Sequence, residues 1–219
     1  MTPGGATKSL AEAPQLPVAL PQFEHIRRSW DAQQGATVAK ILPGEYYVTR
    51  HDEVIFTVLG SCVSACVRER TLGIGGMNHF MLPLDRSKGT SNWGSDALSS
   101  ATRYGNVAME RLINDILKLG GQRANLEFKV IGGGKVLDMA LDVGANNAEF
   151  VRQYLRTEGF IITGEDLGDR FARKLYYSPK TGKVRVKRLT STFHRAVFER
   201  EQQLAPTKAQ VESGSVELF

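Results

Sequence analysis

Cys62 stands directly behind a Gly-Ser pair in the stretch VLGSCVSACV, and His79 follows seventeen positions later in GGMNHFMLP. A cysteine is only slightly ionised at neutral pH; a histidine within reach accepts its proton and stabilises the thiolate. Gly60 and Ser61 carry no bulk that would block a substrate carbonyl, and a sharp turn there frees the backbone N–H of Cys62 to help bind an oxyanion. These residue types outline an acyl-transfer site with Cys62 as nucleophile, His79 as base and Gly60 and Ser61 at the substrate. Pattern alone leaves a second reading open. Most cysteines in apolar strands are inert core residues, and a lone strand histidine is commonly a hydrogen-bonded structural one. Cys66 shares the Cys62 face of a regular strand but is flanked by Ala65 and Val67, with no base in reach, and reads as core.

The elements that must position this pair are short β-rich runs, EYYVTR, EVIFTV, CVSACV and IGGMNHFML, each bounded by turn residues and together expected as strands of one antiparallel group. A hairpin symmetric about the polar turn Arg68–Gly73 sets Cys62 directly opposite His79 and Cys66 opposite Gly75, close enough for thiol and imidazole to meet. A helix is predicted from Asp96 to Leu119, with Tyr104, Ala108, Leu112 and Ile116 along one face and Gly120-Gly121 to stop it. LEFKVI reads as a strand running into Gly132-Gly133-Gly134. A second helix is predicted from Asn146, where Asn146 and Glu149 have capping-box spacing, to Gly159. FIIT reads as a strand, and RKLYYSPKTGKVRVKRL as a hairpin turning at Pro179 to Gly182. Five of the eight prolines fall within the first 43 residues, and residues 1–40 show little periodicity; they are expected as a disordered extension, residues 41–200 as one domain, and residues 201–219 as a flexible tail.

Composition sets further bounds. With 42% hydrophobic and 23% charged residues over 219 positions, the chain buries a core without disulfides or metal. Cys62 and Cys66 on one strand lie roughly 13 Å apart, too far to bridge, and are expected as free thiols in a reducing compartment. No stretch approaches the ~18 apolar residues of a membrane span, and the N-terminus has no signal-peptide core, so a cytoplasmic protein is expected. None of the histidines His25, His51, His79 and His194 has zinc-site spacing with either cysteine. KVIGGGKV fails as a P-loop at Lys129 and Val136, and as a dinucleotide fingerprint at Leu137; its glycines suit a tight turn or a close backbone approach. No metal, cofactor or nucleic acid is expected. The net charge of +5 is concentrated between Arg170 and Arg200, where ten Lys/Arg face the single Glu199. Such a block suits an acidic partner, or is a solvated face.

LGSCV and GGMNHFMLP, followed in order by RYGNVAMERLI, KVIGGGKV, VGANNAEFV, GEDLGDRFARKLYY and KTGKVRVKR, resemble the chemoreceptor glutamine deamidase family, CheD, from about Pro43 to Arg188. The resemblance implies an α+β fold, a single three-layer α/β/β domain with an antiparallel or mixed sheet. It also implies hydrolysis of selected glutamine side chains of methyl-accepting chemotaxis receptors, in some members also of receptor methyl esters, and it allows a phosphatase partner of the CheC type. By this resemblance Cys62 and His79 are catalytic. The family's third member is a threonine six residues before the cysteine; that position is Phe56 here, and Thr57 stands five before. In a regular strand Thr57 faces away from Cys62 unless a bulge intervenes near Gly60. The GARN segment of the family stands as Gly144-Ala145-Asn146-Asn147, without its arginine. A receptor-binding adaptor with a vestigial pair and a cysteine peptidase are the alternative functions.

Overall fold

The computed structural model describes residues 14–82, 95–136 and 142–204. Ten strands form two five-stranded sheets: β1 (Arg27–Asp31), β2 (Ala36–Lys40), β4 (Glu53–Leu59), β9 (Arg173–Ser178) and β10 (Lys183–Arg188) in the order β1-β2-β4-β9-β10, and β3 (Tyr46–Thr49), β5 (Val63–Glu69), β6 (Gly75–Asn78), β7 (Leu126–Gly132) and β8 (Ile162–Leu167) in the order β3-β6-β5-β7-β8. Both sheets are mixed: β2 pairs β4 and β7 pairs β8 in parallel, and the remaining pairs are antiparallel. Helices α1 (Ser95–Lys118) and α2 (Val143–Thr157) pack on the second sheet, and a third helix, α3 (His194–Leu204), follows β10. This is an α+β fold.

The expected helix at Asp96–Leu119 is α1, which buries Met109, Leu112, Ile113 and Ile116 at three- and four-residue steps. Each such side chain contributes about 1.5–3 kcal/mol when fully buried. The second helix begins earlier than the capping-box spacing at Asn146 indicates. Asp142 is its N-cap, accepting a hydrogen bond from the Ala145 N–H, so Asn146 lies inside the first turn. The β9–β10 hairpin turns at residues 179–182, as its Pro and Gly predict.

Three expectations are corrected. The four early runs are not one antiparallel group: β3, β5 and β6 share the second sheet, while β4 is the central strand of the first. The chain is ordered well before residue 41. Phe23 is buried edge-on against Tyr46 and Tyr47 with ring centroids 5.1 and 5.3 Å away, and β1 and β2 form a hairpin that extends the first sheet. Arg28 of β1 bonds the buried Glu53 carboxylate at 2.6 Å, and that carboxylate also accepts from the hydroxyls of Tyr47 and Thr49. A buried carboxylate requires such partners. Finally, the segment after Arg200 continues α3 to Leu204 and carries a buried residue, Glu201; residues 205–219 of the expected tail lie outside the described residues.

Candidate active site

The site lies where the chain passes from one sheet to the other. β4 ends at Leu59, Gly60 and Ser61 form a bend, and Cys62 leads into β5 in the second sheet. His79 follows β6. The observed register pairs Cys66 with Met77 and Val63 with Phe80, two residues from the symmetric hairpin, so Cys62 and His79 are diagonal rather than direct neighbours. A shift of two preserves the face on which each side chain lies. The thiol of Cys62, a ring nitrogen of His79 and a carboxylate oxygen of Glu201 lie within 4.8 Å of one another, all three residues buried.

Thr57 reaches the same place from the opposite sheet. Its Oγ1 lies 2.7 Å from His79 Nδ1 and donates to the Ile41 carbonyl at 2.9 Å. A carbonyl only accepts, so the hydroxyl proton goes to Ile41 and the threonine oxygen accepts from Nδ1–H. The neutral imidazole then carries its lone pair on Nε2, which has no hydrogen-bond partner among the described residues. The facing rule for a single strand did not apply to Thr57, because β4 and β5 belong to different sheets whose facing surfaces meet at the site. All five sequence candidates, Thr57, Gly60, Ser61, Cys62 and His79, are thus brought together.

The backbone of Gly60–Cys62 is held from behind. Its three carbonyls accept from Gly134 N at 2.9 Å, from the side chain of Asn147 at 2.8 Å and from Gly133 N at 2.7 Å, in that order. Asn147 also accepts from Leu82 N at 2.9 Å. Gly132, at φ 120°, has no room for a side chain: a Cβ would stand 2.3 Å from the Cys62 carbonyl oxygen. The glycine run therefore serves close backbone approach, to the nucleophile's own segment. Behind Gly134 the buried Arg173 bonds the carbonyls of Phe171 and Gly168 and the Asp166 carboxylate, which withdraws it from the basic surface that the sequence indicates.

With the carbonyls turned away, the N–H groups of Gly60, Ser61 and Cys62 converge in an anion-binding concavity. The Glu201 carboxylate occupies it: Oε1 accepts from Gly60 N at 2.6 Å and Cys62 N at 3.2 Å, and Oε2 from Ser61 N and Ser61 Oγ, each at 2.9 Å. Burial alone pushes the Glu201 carboxyl up, but the proximity of His79 and the backbone N–H donors hold it below its ordinary value. Burial, and then the adjacent Glu201 carboxylate, push the Cys62 thiol well up. Sequence reasoning missed Glu201 and Asn147. The one local signal for Glu201 was its four-residue spacing from Val197, which puts both on one helical face; a Cβ on Gly60 would meet both side chains. Cys62, His79 and Glu201 also form a sulfur, nitrogen and oxygen set of the kind that ligates zinc, although both Glu201 oxygens already accept hydrogen bonds.

Comparison with known proteins places this geometry in context. The family model described as CheD chemotactic sensory transduction matches residues 81–188. The protein from Halorhodospira halophila named "Probable chemoreceptor glutamine deamidase CheD" is 54% identical over 93% of this chain and 94% of its own length. Proteins of the same name from Hahella chejuensis and Hydrogenovibrio crunogenus are 50% and 45% identical, over 93% and 89% of this chain and 95% and 100% of their own.

Proposed function

The chain belongs to the CheD family, and from that premise we propose that it is a cysteine amidohydrolase of the cytoplasm, converting glutamine side chains of methyl-accepting chemotaxis receptors to glutamate. The observation that carries this reading is the imidazole of His79, oriented by Thr57 so that its unpartnered nitrogen is the one left for the Cys62 thiol. In the reaction His79 takes the thiol proton, and the sulfur adds to the side-chain carbonyl carbon of glutamine. The N–H groups of Gly60, Ser61 and Cys62 bind the oxygen as charge develops on it. His79 then protonates the departing ammonia, and water hydrolyses the thioester to leave a carboxylate and the free thiol. A methyl ester passes through the same acyl-enzyme, with methanol as the leaving group. The new carboxylate changes receptor charge and so its signalling state. Peptide mapping of a receptor incubated with the protein is expected to show Gln-to-Glu conversion at constant length. Shortened products would make it a peptidase, and unmodified receptor would make it a binding module.

The exposed basic row on β10 is assigned to receptor docking. Lys183, Arg185 and Lys187 alternate with half-buried Val184 and Val186 on this edge strand, and the Arg185 guanidinium lies over the Tyr176 ring at 5.9 Å from its centroid. Reversing the three cations to Glu is expected to weaken receptor binding and flatten its salt dependence, while hydrolysis of a small glutamine peptide stays unchanged. Lysines on an edge strand also discourage sheet-to-sheet association. Receptor affinity that does not move across a range of salt would assign the row to that role alone.

A further inference from the structure

A surface helix ordinarily docks through an apolar stripe, and α3 does not. Of its described side chains only Glu201 is buried; Val197 and Phe198 are half-buried and most others face solvent. A cavity of about 230 Å³ lies between the helix and the body, bordered by Ile41, Thr57, His79 and Val197. The helix thus enters the protein by a carboxylate, and no Lys or Arg bonds it among the described contacts: its partners are the three consecutive N–H groups and the Ser61 hydroxyl, with His79 Nε2 at 3.9 Å. Gly60 makes that approach possible, since a Cβ there would stand 2.9 Å from Oε2. A glutamate side chain with both oxygens in a concavity of N–H groups, beside a cysteine thiol and an imidazole, has the arrangement that the product of glutamine hydrolysis would have.

We propose that α3 is an internal product analogue: Glu201 fills the subsite for the substrate's side-chain carboxamide and keeps the site closed until the helix lifts away. This rests on the deamidase reading and adds its regulation. While seated, the carboxylate excludes substrate and sets a negative charge against formation of the thiolate. Because the buried side chain among those described is a carboxylate rather than an apolar stripe, the helix is exchangeable for a competing side chain.

The test is Glu201→Gln in the full chain, which puts a carboxamide in that subsite. The Cys62 sulfur bonds to the side-chain carbon of the new glutamine, and the C–N bond breaks. Ammonia leaves with the proton that His79 took from the thiol. Water then adds, the C–S bond breaks, and glutamate and free thiol are restored. Peptide mapping is expected to find glutamate at position 201 when Cys62 is present and glutamine when Glu201→Gln is combined with Cys62→Ala. Glutamine at 201 in both, in a protein that still converts receptor glutamine, overturns the product analogue and leaves the deamidase reading standing. Glu201→Ala supplies a readout without turnover. Alkylation of Cys62 by iodoacetamide is expected to accelerate, by roughly three- to fourfold for each unit by which the thiol's pKa falls, because the gain in thiolate outweighs its loss of nucleophilicity, with Cys66 unlabelled. An unchanged alkylation rate overturns the closure. Faster alkylation with no glutamine converted in either the receptor or position 201 retains the closure and removes the deamidase reading.

Discussion

Cys62→Ala is expected to abolish conversion of receptor glutamine to glutamate, a loss of roughly 10⁶-fold on the scale seen when a nucleophile is removed, whereas Cys66→Ala retains most of the activity. Both thiols are buried and they sit four residues apart, so exposure does not separate them. Their neighbours do. Cys66 lies in the middle of β5 between Met77 and Lys129 on the adjoining strands, and burial pushes its thiol far up with no base to take the proton. Cys62 lies at the crossing between sheets, beside His79 and under three converging N–H groups. Mass mapping of receptor peptides measures both variants, with thermal unfolding as the control for folding. Equal loss in two variants that unfold like the parent would remove the assignment.

His79→Asn is expected to lower kcat by roughly 10²–10⁴, the range for loss of a positioned general base. Asparagine offers an N–H to the Thr57 oxygen in place of Nδ1–H, so the link between the sheets can persist, but it cannot accept the thiol proton at neutral pH. Ammonia release from a glutamine peptide measures the loss. Near-parent turnover would make His79 a structural bridge between β4 and β6 and nothing more.

What could be read in the sequence follows from how local each signal is. α1 was legible because its apolar residues repeat with the helical period, and β9–β10 because Pro179 and Gly182 mark a turn between alternating strands. β1 gave no such signal: its residues are exposed or half-buried, and it is held by its pairing with β2 and by Arg28 reaching Glu53, twenty-five positions away. The cysteine and histidine were found by type and spacing, but their register was two residues off, since nothing in the turn fixes it. Thr57 reads as facing away from Cys62 only if residues 57–62 form one regular strand; periodicity says which face a side chain takes, not where one strand ends and the next sheet begins. Glu201 was hidden because a glutamate in a polar helix reads as a solvated charge, and its burial exists only through backbone donors more than a hundred positions earlier.

The strand order of the first sheet has a consequence for when the protein can act. β4, which carries Thr57, lies between β2 and β9, so one of its neighbours is made near the start of the chain and the other only at Arg173–Ser178. During synthesis Cys62 and His79 emerge early, yet the strand that orients the imidazole keeps an open edge until most of the chain has been translated. Pairings that distant in sequence form late, because the intervening chain must first be closed into a loop. A chain ending before β9 is therefore expected to leave Thr57, and with it the His79 ring, without its fixed position, so that the site is completed only when synthesis is nearly finished.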